Sequence, residues 1–172
     1  MRYLNITLFL ICIGISTGSA QIAIPQGIEI GNKAPEIIEN SVTGTPLKLS
    51  SLAGKIVLID FWASWCKPCR NENPFVVASY EKYKDASFTG GAGFTVFSVS
   101  LDKDAKAWKN AIKTDGLSWG SHVCVLSSNA AYIQSYNISM IPTNFLIDGN
   151  GVILASNLRG MALEQKLASL KK

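Results

Sequence analysis

The run Lys55–Trp62 (KIVLIDFW) constrains the fold more than any other stretch of the chain. It is β-branched and aromatic without polar alternation, so both of its faces must be covered, as in the central strand of a layered sheet. Helix-forming sequence follows from about Lys67 to Lys84, with Pro74 inside it predicting a kink. A second apolar run, Gly93–Leu101 (GFTVFSVSL), comes after a linker containing Gly90 and Gly91. A strand, a helix and a strand of these lengths make a right-handed crossover with the two strands parallel.

The flanking sequence extends this unit. Helices are expected over Asp104–Thr114 and Asn129–Tyr136. Strands Thr143–Ile147 and Val152–Ala155 bracket Asp148-Gly149-Asn150-Gly151, a tight-turn signal for an antiparallel hairpin. Met161–Leu170 closes the chain as a helix with Leu163, Leu167 and Leu170 on one face. Ahead of the first run, Ala34–Ser51 has short apolar stretches around Thr43-Gly44-Thr45-Pro46 and predicts a small hairpin. The expected fold is α/β, one domain over residues 33–172: a mixed central sheet flanked by helices on both faces, with an N-terminal hairpin extension.

Residues 1–32 read differently. Arg2 precedes a greasy run, Ile6–Ile15, that is too short to span a bilayer comfortably, and Ser16–Ala20 then turns small and polar. Gly18 and Ala20 fit cleavage before Gln21, so residues 1–20 are read as a signal peptide for export, with an uncleaved membrane anchor as the alternative. Residues 21–32 are expected to be a flexible lead-in. The mature chain then keeps Cys66, Cys69 and Cys124. Three cysteines are too few for a disulfide scaffold, and the chain is 48% hydrophobic, enough for a core without one. The net charge of +4 is scattered, with no basic run, which argues against a nucleic-acid partner.

Three readings of the pair in Trp65-Cys66-Lys67-Pro68-Cys69 compete. A zinc site needs about four ligands, and His122 and a distant Cys124 do not make a second pair; no metal is expected. A static disulfide over two intervening residues closes a tiny loop and stabilises little. The redox reading has positive support. A buried strand hands over to a helix here, placing Cys66 at a helix N-terminus, where unpaired N–H groups and the helix dipole favour a thiolate. Lys67 adds a positive charge, and Pro68 suits a first turn that needs no N–H from it. Cys66 is the nucleophile; Cys69, one turn on, resolves the mixed disulfide and closes the Cys66–Cys69 disulfide.

Two other places fit this chemistry. Asp60 falls inside the buried run, where a carboxyl group should have a raised pKa and could exchange a proton with Cys69; an end-of-strand Asp facing solvent is the alternative. Ile141-Pro142-Thr143 precedes a hairpin strand, and a cis peptide there would set the Ile141 backbone against the cysteines as an edge for an extended partner. Cis geometry is not legible from residues alone. Trp65 is expected to lie against the pair. Cys124, within His122-Val123-Cys124-Val125-Leu126, reads as a small buried hydrophobe, and His122 as structural or exposed.

The segments VLIDFWASWCKPCRNENP, SMIPTNFLID and GNG, in that order, resemble the thioredoxin superfamily. GNKAPEI, LKLSSLAGKIVLIDFW and FSVSLDKDAKAWKNAI are similar to the TlpA/ResA-like branch of exported thiol-disulfide oxidoreductases. The resemblance implies a thioredoxin-like fold, Cys66 and Cys69 as the active pair, Asp60 as the buried acid, Pro74 as the helix kink and Pro142 as a cis-proline. It also implies no cofactor, protein disulfides as substrates, a membrane redox protein as electron donor, a periplasmic or envelope location, and a role of the cytochrome c maturation type. We expect a monomer. Lys-Pro between the cysteines departs from thioredoxin's Gly-Pro. Lys67 favours the thiolate and an oxidising pair, whereas Pro68 and the family favour a reductant, the reading adopted here; a disulfide-donating oxidase is the alternative. A peroxiredoxin-like peroxidase would want Thr and Pro where Ala63 and Ile59 stand. A binding module with idle thiols would tolerate serine at Cys66.

Overall fold

The two apolar runs lie side by side at the centre of the molecule, as their composition requires. The structure, a computed structural model, describes residues 23–125 and 131–172. The expected signal peptide and the start of the expected helix at Asn129 lie outside the described residues. In chain order, β1 (Ile38–Asn40) and β2 (Pro46–Lys48) pair as the antiparallel hairpin, and a 3-10 turn, Leu49–Leu52, leads into β3 (Ile56–Trp62). Helix α1 (Lys67–Tyr83) follows. A small hairpin, β4 (Ser87–Phe88) and β5 (Gly91–Ala92), occupies the glycine-marked linker before β6 (Phe94–Ser100). Then come α2 (Ala105–Thr114), β7 (His122–Cys124), α3 (Ala131–Ser135), β8 (Thr143–Ile147), β9 (Ile153–Ser156) and α4 (Met161–Leu170).

Strand order in the main sheet is β7-β6-β3-β8-β9. β3 pairs in parallel with β6, from Ile56 opposite Phe94 to Trp62 opposite Ser100, and antiparallel with β8. The crossovers β3–α1–β6 and β6–α2–β7 step the same way across the sheet, so the right-handed rule sends both helices to one face. Side-chain alternation agrees. Ile56, Leu58 and Trp62 pack with Val76 of α1, Trp108 of α2 and Leu163 and Leu167 of α4. Val57, Ile59 and Phe61 face a second cluster containing Ile37, Tyr132 and Tyr136. That second face is covered by α3 and the N-terminal segments, tied where the Tyr136 hydroxyl donates to the Pro35 carbonyl at 2.6 Å.

The lead-in is bonded from Pro25 onward: Lys33 N–H donates to Pro25 O, Gly31 N–H to Ile153 O, and Ile153 N–H to Asn32 O, each at 2.9 Å. β9 is an edge strand whose outward N–H and C=O groups need partners, and the Gly- and Pro-containing segment supplies them. α1 is one continuous helix containing Pro74, which has no N–H to donate. The predicted turn holds as written: Asp148 Oδ1 accepts from the N–H groups of Asn150 at 2.9 Å and Val152 at 2.8 Å. A Cβ on Gly149 would stand 2.7 Å from the Gly90 carbonyl oxygen, so only glycine fits there.

Candidate active site

Parallel pairing of β3 ends at Trp62, and after three intervening residues the chain turns into α1 with Cys66 as its N-cap. Cys66 and Cys69 are joined as a disulfide, their Cα atoms 5.3 Å apart. The Cys69 backbone N–H points at Cys66 Sγ, 3.2 Å away. This is one of the donors that a helix start leaves unpaired, and it aims at the atom that carries the charge once the pair is reduced. Both cysteines are buried, at 5% and 2% exposure, while Lys67 and Pro68 on the first turn are exposed. The Ile141–Pro142 peptide is cis, and the Ile141 carbonyl oxygen lies 3.9 Å from Cys66 Sγ. Ile141 is half-buried and packs on the apolar cluster that contains the two cysteines. Trp65, directly before Cys66, is 67% exposed.

Behind Cys69 is a cavity of about 10 Å³, room for roughly one water molecule. Asp60, Glu72, Pro142 and Arg159 line it together with Cys69. Asp60 is 7% exposed, on the sheet face that meets α1, and not at a solvated strand end. Burial pushes its carboxyl up to about 7; Arg159 pulls it down and Glu72 pushes it further up. Glu72 Oε2 accepts the Gly160 N–H at 2.7 Å. The Arg159 guanidinium donates to the carbonyls of Pro142 and, at 2.8 Å, Leu158. Asn144 completes the seam, donating to Leu158 O and accepting from Leu158 N–H, both at 2.9 Å.

The other side of the motif is held by residues that the sequence reading did not single out. Asp102, almost fully buried, accepts from Ser64 N–H at 2.8 Å and from the hydroxyls of Ser64 and Ser100 at 2.6 Å. Arg70 forms a forked ion pair with Asp115 and donates to Ser64 O at 3.1 Å. Asn73 donates to the same Asp115 at 2.6 Å. Cys124 is the buried thiol expected: it donates to Asp102 O at 3.2 Å, and burial pushes it up to about 11. His122 is structural, buried against Trp119, its Nε2 3.1 Å from Leu117 O, and desolvation lowers its pKa to about 4. Glu72 had a usable signal, since it stands three residues after Cys69 on a helix and so shares its face. Arg159 had none, being far along the chain in a loop.

Ala63, fully buried, offers no hydroxyl beside Cys66 for a peroxidase. A helix-capping cysteine pair backed by a buried acid can, when reduced, attack a partner disulfide through a thiolate and, when closed, be attacked by a partner thiol, the chemistry of the thiol-disulfide oxidoreductases of thioredoxin-like fold. The family model described as Redoxin matches residues 29–171, and the chain belongs to that family. It is similar to the thiol-disulfide oxidoreductase ResA of Bacillus subtilis, at 30% identity over 87% of this chain and 79% of that protein. ResA of Bacillus anthracis is 29% identical over 93% and 87% of the two chains. Among solved structures, the thioredoxin domain of a thiol-disulfide oxidoreductase from Bacteroides vulgatus superposes with a TM-score of 0.74 at 33% identity, covering 83% of this chain and 98% of that one. A putative thiol:disulfide interchange protein DsbE from Chlorobium tepidum gives 0.70 at 30% identity, with the same coverage. The protein is a ResA/TlpA-like thiol-disulfide oxidoreductase of the thioredoxin superfamily.

Proposed function

We propose that this oxidoreductase is exported and works as a reductant of protein disulfides in the cell envelope, in the manner of cytochrome c maturation, and is re-reduced by a membrane redox protein. Cys66 attacks a partner disulfide next to the Ile141 carbonyl, and Cys69 resolves the mixed disulfide. Asp60 takes the Cys69 proton. The observation that carries the direction is the charge balance behind Cys69, two carboxyl groups against one guanidinium in one cavity. Reduction to a thiol–thiolate pair adds negative charge near them, so the reduced form is poorly stabilised and gives up its electrons readily.

A disulfide-donating role is the second reading, favoured by the exposed cation of Lys67 and the Cys69 N–H aimed at Cys66 Sγ. The test is an equilibrium titration of the purified protein in dithiol and glutathione buffers, read by tryptophan fluorescence. A midpoint at or below about −230 mV supports the reductant, and one above about −150 mV makes the protein an oxidant. N-terminal sequencing of the protein recovered from the envelope tests export, which predicts a mature chain starting at Gln21.

A further inference from the structure

We propose that Arg159 is a positioning residue for the exchange reaction, one guanidinium tying the cis-Pro142 carbonyl to the acid cavity behind Cys69 and serving as the counter-charge of that cavity. The inference rests on the oxidoreductase reading and adds a residue to it.

Three observations converge on Arg159. Its guanidinium donates to two carbonyls, one of them on Pro142, directly after the residue whose own carbonyl faces Cys66 Sγ. The next residue, Gly160, donates its N–H to Glu72, so the loop that presents Arg159 is anchored on the active-site helix itself. Arg159 also lines the cavity that Asp60 and Cys69 share, and its charge favours the ionised form of Asp60. The ionisable groups around that cavity are Asp60 from β3, Cys69 and Glu72 from α1, and Arg159 from the β9–α4 loop; the remaining lining is apolar or uncharged. With both carboxylates ionised the site carries one net negative charge. Without Arg159 it would carry two, and Asp60 would hold its proton to higher pH.

The step affected is resolution. Cys69 passes its proton to the Asp60 carboxylate, the Cys69 thiolate attacks the Cys66 sulfur of the mixed disulfide, and the partner leaves as a thiolate. One S–S bond forms as another breaks, and the partner sulfur takes the electron pair. Asp60 must be ionised for this, so resolution speeds up as pH rises through the Asp60 midpoint.

Oxidised glutathione serves as the probe. The reduced protein is mixed with it between pH 5 and 9, and quench-flow mass spectrometry follows the glutathionylated intermediate as it forms and decays. In Arg159→Met the midpoint for decay should move up by about one pH unit. At pH 7 decay should slow about five-fold, as the ionised fraction of Asp60 falls from about a half to about a tenth. Arg159→Lys keeps the cation and loses the planar fork, so its midpoint should stay near that of the wild type. In an Asp60→Asn background the pH midpoint should be absent and Arg159→Met should slow decay less than it does beside Asp60, only its bonds to the Pro142 and Leu158 carbonyls being left to lose. An unshifted or lowered midpoint in a folded Arg159→Met protein overturns the proposal, as does an undiminished slowing by Arg159→Met in the Asp60→Asn background. A wild type that forms neither the intermediate nor the internal disulfide overturns the oxidoreductase reading itself, and this inference with it.

Discussion

Asp60→Asn should stabilise the oxidised protein, and by an amount that depends on pH in a specific way. Burial raises the Asp60 pKa from 3.8 to about 7. Between those values the native chain holds a proton that the unfolded chain has released. The slope of stability against pH is therefore negative there: the relative stability is fully present below about pH 4 and lost as pH rises through about 7. Roughly three pK units at about 1.36 kcal/mol each set a ceiling near 4 kcal/mol at pH 8. Asparagine carries no such titration and is nearly the same size, and the cost of its amide in the site brings the expected gain to about 2–4 kcal/mol. The assay is guanidinium unfolding of oxidised wild type and Asp60→Asn at pH 4 and pH 8, comparing the stability difference at each. His122 is present in both proteins, so its own titration cancels in that difference. A gap that opens from near zero at pH 4 to several kcal/mol at pH 8 supports the assignment. A gap of the same size at both pH values would refute it, because a packing effect does not follow the charge of one carboxyl group.

The remaining predictions concern groups around the pair. His122 has its pKa lowered from 6.5 to about 4, so it works in the opposite sense: stability is lost as pH falls from about 6.5 toward 4, by about 3 kcal/mol. His122→Gln should flatten that acid limb in unfolding curves taken at pH 4 to 7. Asp102→Ala removes the acceptor for both Ser64 groups and should cost about 3 kcal/mol by denaturant midpoint, with slower exchange because the loop entering Cys66 loses its anchor. Cys124 is buried with its thiol pushed up to about 11, so iodoacetamide should leave it unlabelled in the native reduced protein and label it in guanidinium. Cys124→Ala should keep full exchange activity in the glutathione assay.

What the sequence disclosed about this fold has a physical pattern. A strand buried on both faces must be apolar along its length, which is why β3 and β6 stand out as continuous runs and why their parallel pairing follows from the sequence. Local hydrogen bonds are equally legible: Asp104 caps α2 through Lys106 and Ala107 N–H groups, and Asp148 closes its own turn. The redox pair is legible because its chemistry is built within one helical turn. The seam behind it is not. Glu72 stands at helical spacing from Cys69, but its bond to Gly160 spans 88 residues, and Arg159 reaches Pro142 across 17 from a loop with no periodicity to betray it. The pairing of the lead-in is illegible for the same reason, since its partner is the edge of β9 and its composition says nothing of a vacancy there. In this protein the cysteine pair is encoded locally, whereas the charged groups behind it and the arginine that holds the Pro142 carbonyl are placed by topology. On the proposal made for Arg159, an arginine placed by topology tunes a cysteine pair while leaving the motif around that pair unchanged.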